Sequence, residues 1–125
     1  MPGEKYLVAV VDDDPRLLES IEELLESAGH AASLFSSAQD FLRRVELHEL
    51  DCLITDIGMP GMDGFELQRI VKERRPELPV ILMTGRHEIT ELPQARQYPL
   101  FRKPFDGPTL LAAVDAAVAL KEGPR

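Results

Sequence analysis

Three aspartates in a row, Asp12, Asp13 and Asp14, stand directly behind the apolar run LVAVV, and a fourth, Asp56, closes another apolar run in LITDIGMPGMDG. Two like charges held about 4 Å apart repel by about 4 kcal/mol at an effective dielectric of 20, so a fold that crowds them must gain something elsewhere. Thr84 follows the run VILM, and Lys103 follows LFR in FRKPF. An acid pair, an acid, a hydroxyl and a lysine therefore close four of the apolar runs. Brought into one crevice, Asp12, Asp13 and Asp56 can hold a hard divalent cation; magnesium is commonly bound by one or two carboxylates, waters and a phosphate. A carboxylate left free can attack a phosphoryl group and form an acyl phosphate, while a hydroxyl and an ammonium contact the phosphoryl oxygens.

Plainer roles account for some of these residues. Asp14 directly precedes Pro15, which suits the first helical position, so Asp14 is expected to cap a helix. A threonine closing a strand is often a turn former, and a lone lysine is often a solvated charge. Asp12, Asp13 and Asp56 have no such explanation, since the helix after Asp56 starts only near Asp63. His30, His48 and His87 lack ligand spacing, which argues against a zinc site or a phosphohistidine.

Convergence of these side chains depends on the elements that carry them. Apolar runs rich in Val, Ile and Leu at Tyr6 to Val11, Ala31 to Phe35, Cys52 to Thr55, Val80 to Met83 and, more weakly, Leu100 to Phe101 predict buried strands. Between them the period becomes helical. Leu17, Leu18, Ile21, Leu24, Leu25 and Ala28 mark one helix face, ended by Gly29. Ala38, Phe41, Leu42 and Val45 mark a second, with Ser36 and Gln39 spaced as a capping box. Leu67, Ile70 and Val71 mark a third before Pro76, and Leu110, Leu111, Val114, Ala117 and Val118 mark the last, entered through Asp106-Gly107-Pro108. Strict alternation predicts an α/β fold, a doubly wound parallel sheet covered by helices on both faces, with ligands bound beyond the carboxyl ends of the strands. In the order 2-1-3-4-5, strands 1 and 3 are neighbours, and Asp12, Asp13 and Asp56 meet.

At 125 residues the chain is expected to form a single domain over positions 1–125. A formal charge of −8 argues against direct nucleic-acid binding, and the basic clusters Arg43-Arg44 and Lys72-Glu73-Arg74-Arg75 read as solvated helix faces. The single cysteine, Cys52, lies in an apolar stretch and is expected to be a small buried side chain, which suits a reducing, cytoplasmic setting. The amino terminus has no hydrophobic signal core, and no apolar run approaches the roughly 20 residues a membrane span needs.

The segments VVDDDPRLLESIEELLESAGH, LFSSAQDFL, LITDIGMPGMDGFEL, VILMTG and KPF resemble the response-regulator receiver domains of two-component signalling, in particular the FixJ-like branch, over nearly the whole chain. The resemblance implies a flavodoxin-like fold in which Asp56 is the phosphoacceptor, Asp13 a direct Mg²⁺ ligand, Asp12 a partner through water, Thr84 the switch hydroxyl and Lys103 the phosphate contact. It places the backbone of Ile57 and Gly58 beside the metal and implies a histidine kinase or phosphotransfer protein as donor. A homodimer formed on phosphorylation, and a cis peptide between Lys103 and Pro104, belong to the same expectation. Gly58 and Arg86 would overhang the phosphoryl site, although Gly58 also suits the GMPG turn and Arg86 a solvated position.

Two departures stand out. GRHEITELPQARQYPLFR is shorter than the usual stretch and carries Pro93 and Pro99, so the helix between the fourth and fifth strands is expected to be short, to end before Pro93, or to be irregular and poorly ordered. Leu100 occupies the usual place of a switching aromatic, with Tyr98 and Phe101 nearby. Two other functions fit parts of the pattern. Asp12 and Asp14 have the Asp-x-Asp spacing that resembles haloacid-dehalogenase-type phosphatases, against which Pro15 and Asp56 count. A receiver-like interaction module working without phosphorylation is the other.

Overall fold

The structure, a computed structural model, describes residues 5–85, 100–102 and 106–122. Five parallel strands, β1 (Leu7–Val11), β2 (Ala31–Phe35), β3 (Cys52–Asp56), β4 (Val80–Thr84) and β5 (Leu100–Arg102), form one sheet in the order β2-β1-β3-β4-β5. Helices α1 (Pro15–Ser27), α2 (Ala38–Arg44), α3 (Gly64–Arg74) and α4 (Gly107–Glu122) lie between or after the strands. This is the doubly wound parallel sheet that the alternation predicts.

The strands read as continuous apolar runs because both faces are covered. Ala9, Val11, Leu53, Val80 and Leu82 point to one face and pack with Phe35, Ala38 and Phe41 and with Leu67 and Val71 of α3. Val8, Val10, Cys52, Ile54, Ile81 and Met83 point to the other and pack with Leu18, Ile21 and Leu25 of α1 and Leu110, Val114 and Val118 of α4. Each large apolar side chain so buried contributes about 1.5–3 kcal/mol relative to exposure. Cys52 is buried, as expected.

Helix ends follow local chemistry. Asp14 caps α1, its carboxylate accepting from Arg16 N–H, with Pro15 in the first turn. Gly29, at φ +88°, ends the same helix: its N–H donates to Glu26 O and that of His30 to Leu25 O, which closes a Schellman turn. The capping box expected from Ser36 and Gln39 is corrected by one residue, because Ser37 is the cap and accepts from Asp40 N–H at 3.0 Å. Ala28 is exposed and caps α1 instead of joining its apolar face. On α3, Gln68 is buried where Ile70 is only half-buried.

The basic cluster Lys72 to Arg75 is also corrected. Lys72 Nζ donates to Leu78 O at 2.6 Å, and Arg75 donates to Leu47 O and, at 2.7 Å, to Leu50 O, tying the end of α3 to the 3₁₀ turn Leu47–Glu49. Of these four residues only Glu73 and Arg74 are exposed. Burial lowers the Lys72 pKa below the ordinary lysine value, an effect that Glu77 and Cys52 oppose. Expectations for Arg86, Pro93, Tyr98, Pro99, Lys103 and the Lys103–Pro104 peptide lie outside the described residues. Among the described residues no helix is long and apolar enough to cross a membrane.

Candidate functional site: an acidic crevice at the strand ends

Register builds the site. Val11 pairs with Thr55, so the next residues, Asp12 and Asp56, leave neighbouring strands side by side at the carboxyl edge. Asp56 in turn pairs with Met83 of β4, and Ile57 N–H donates to Met83 O at 2.8 Å, which fixes the backbone after Asp56 against β4. Thr84 ends β4 one residue further on and is fully buried. Asp12 is fully buried and Asp56 is 5 % exposed, whereas Asp13 is exposed.

One oxygen from each of Asp12, Asp13 and Asp56 lies within 4.8 Å of the others. Two buried carboxylates and one reaching in from solvent make a hard oxygen donor set, which suits magnesium or calcium and not a soft metal. The buried pair would be costly without compensating charge or hydrogen bonds. Part of that compensation comes from the chain, since Asp12 Oδ1 accepts from Asp14 N–H at 2.8 Å.

The same turn separates the roles of three consecutive acids. Asp14 turns its carboxylate to Arg16 N–H and serves α1. The Asp12-x-Asp14 spacing is thereby left without a second carboxylate in the crevice. Asp12 and Asp13 remain directed to the common site with Asp56. Gly58 is exposed in the loop between β3 and α3, two residues beyond Asp56. Lys103 lies outside the described residues, while β5, which leads to it, is the sheet's edge strand beside β4.

Two residues near Asp56 were not singled out by sequence. Thr55 donates its hydroxyl to Asp56 O at 3.2 Å, inside the sheet. Gly64 opens α3 directly under the Asp56–Ile57 backbone, and its N–H donates to Ile57 O at 3.0 Å. A signal for Gly64 was present, since a glycine directly after a capping aspartate is a poor helix former and asks for a spatial reason.

Comparison with known proteins agrees with this geometry. The family model described as the response regulator receiver domain matches residues 8–115. The transcriptional regulatory protein FixJ of Bradyrhizobium diazoefficiens is 32% identical over 118 residues, covering 92% of this chain and 58% of FixJ. The response regulator protein TodT of Pseudomonas putida is 36% identical over 123 residues, covering 96% of this chain and 54% of TodT. The chain thus spans about half the length of these curated relatives. Among solved structures, a response regulator receiver domain protein from Clostridium thermocellum superposes with a TM-score of 0.87 at 29% identity, covering 94% of this chain and 97% of that one. A BeF3-activated DrrB receiver domain superposes at 0.80 with 30% identity, covering 92% and 98%. With its sheet order, its acidic crevice and a family match over most of its length, the chain belongs to the response regulator receiver domains of two-component signalling.

Proposed function

We propose that residues 1–125 form one receiver domain that works as a phosphorylation-operated switch, with Asp56 accepting a phosphoryl group from a histidine kinase or histidine phosphotransfer protein. The observation that carries this reading is the meeting of the Asp12, Asp13 and Asp56 oxygens within 4.8 Å at the carboxyl edge of the sheet. Asp13, Asp56 and the Gly58 backbone would hold Mg²⁺ directly and Asp12 through water; the ion, when bound, offsets carboxylate repulsion and the charge on phosphoryl oxygens.

An Asp56 carboxylate oxygen attacks phosphorus, the P–N bond to the donor imidazole breaks, and the departing nitrogen keeps the electron pair and is protonated from solvent. Thr84 donates its hydroxyl and Lys103 its ammonium to the phosphoryl oxygens. The phosphoryl group adds negative charge where the crevice was already acidic, so contacts to Thr84 and Lys103 draw the ends of β4 and β5 inward. Moving a two-state equilibrium from 1:99 to 99:1 takes about 5.5 kcal/mol, within reach of several charge-assisted contacts.

The switch is read by a partner protein or an attached domain, in the cytoplasm where such regulators usually work, with a second copy of the chain as one partner on phosphorylation. FixJ is named as a transcriptional regulatory protein and NtrC of Escherichia coli as a DNA-binding transcriptional regulator, so control of transcription is the output we favour. The acidic charge of −8 assigns DNA contacts to something other than this domain.

Intact-mass measurement during incubation with a small phosphodonor tests the reading. Wild type should gain one phosphoryl group with Mg²⁺ present and lose most of that gain with EDTA, and Asp56→Asn should gain none. Full labelling of Asp56→Asn would remove the assignment, and a wild type that never becomes heavier would remove the switch.

A further inference from the structure

We propose that Gly64 is a positioning residue for the metal-bearing site, admitted to the first turn of α3 so that the helix can seat against the backbone of Asp56 and Ile57. The proposal rests on the reading of Asp12, Asp13 and Asp56 as a Mg²⁺ site. Glycine is not present for its conformational freedom: among the described residues the positive-φ glycines are Gly29 and Gly61, and Gly64 is not one of them. Helix propensity gives no reason either, since glycine is about 1 kcal/mol worse than alanine in a helix. Space is the remaining cause. A Cβ on Gly64 would run into the Asp56 carbonyl oxygen and would come within 2.8 Å of Ile57 Cα and 2.9 Å of the Asp56 carbonyl carbon. All three are backbone atoms, which cannot rotate aside.

That backbone is held from several directions. Ile57 N–H donates to Met83 O on β4, Thr55 Oγ1 donates to Asp56 O, and Gly64 N–H donates to Ile57 O. The loop between Ile57 and Gly64 is therefore closed at its neck by one hydrogen bond and one glycine-to-backbone contact. Asp63 fixes the helix side of the neck, its carboxylate accepting from Glu66 N–H at 2.9 Å. The neck sets where the Asp56 carboxylate and the Gly58 carbonyl stand relative to Asp12 and Asp13. A methyl group at Gly64 has to push α3 away from the strand end or turn the Asp56–Ile57 peptide, and either movement separates the oxygens that share the ion. Among the described residues the other glycine whose Cβ would come closer than 3.0 Å to a neighbour, Gly61, differs in kind, because the atom it would meet at 2.9 Å is the end of the Gln39 side chain, which can swing away.

Titration of the 125-residue chain with Mg²⁺ alone, followed by calorimetry or amide shifts, tests the proposal when wild type, Gly64→Ala, Val71→Ala and Asp13→Asn are compared. All four chains carry the same added sucrose, which favours the folded state. Val71 is buried on the same helix, away from the neck, and its truncation lowers stability by a cavity effect. Gly64→Ala should weaken Mg²⁺ binding about tenfold or more, as loss of a supporting contact around a metal does. Val71→Ala should bind within about twofold of wild type, outside the tenfold range of that effect. Binding by Gly64→Ala that matches wild type, equal weakening in both helix variants, or unfolding of Gly64→Ala alone would each overturn the positioning role and leave the metal site standing. Wild type that binds no better than Asp13→Asn would instead overturn the metal site itself.

Discussion

Neighbouring aspartates in this chain take different parts because of what their backbone offers. Asp14 is drawn to the open N–H groups of α1, while Asp12 is buried, receives the Asp14 N–H and faces Asp56. The first role was legible in the sequence because Asp-Pro is a local signal. The second was legible only through an assumed strand order. Asp106 shows the local rule again, at the entrance to α4: its carboxylate accepts both the hydroxyl of Thr109, at 2.6 Å, and the Thr109 N–H, at 3.0 Å. Those two donors hold its pKa below the ordinary carboxylate value. A depressed carboxylate pKa contributes stability that is complete above the unfolded value and lost as pH falls through the folded one. Thr109→Val removes the hydroxyl and keeps the N–H. Urea midpoints should therefore separate wild type from Thr109→Val at neutral pH and converge below the usual carboxylate range. A gap that persists unchanged below that range would deny the hydroxyl its part.

At the scale of elements, apolar periodicity found every described strand to within one residue at each end and the buried stripes of α1, α2 and α4, because both follow directly from which face must leave water. Caps were less legible. Ser36 and Ser37 are equivalent by composition, and only the entry angle of the chain into α2 selects Ser37, which is extended and reaches Asp40 N–H. Ser37→Ala should cost about 1 kcal/mol in urea unfolding, whereas Ser36→Ala, at an exposed position, should stay within about 0.5 kcal/mol. The reverse ranking would return the cap to Ser36. Arg75 and Lys72 escaped the sequence reading for a related reason. Long cationic side chains pattern as solvated faces, yet here they bend back to satisfy carbonyls at the 3₁₀ turn and beyond the end of α3. His30 likewise carried no sequence signal. Its Nδ1 accepts Tyr6 N–H at 3.2 Å, and its ring stacks on Tyr6 at the end of the sheet opposite the acidic crevice.

For the whole molecule, the decisive quantity is register between strands distant in sequence. Pairing of Val11 with Thr55 turns two separate acidic strand ends into one site, and a slip of one residue would place Asp56 on the other face of the sheet. Composition and alternation could reach the fold class, but the side-by-side placement of Asp12 and Asp56 is a property of the assembled sheet. The most direct measurement of where phosphorus resides is borohydride reduction of the chain labelled by a small phosphodonor and Mg²⁺, followed by peptide sequencing in the mass spectrometer. Reduction converts an aspartyl phosphate to homoserine, which should appear at Asp56 and at no other acidic position. Homoserine at Asp12 or Asp13, with Asp56 untouched, would contradict the account.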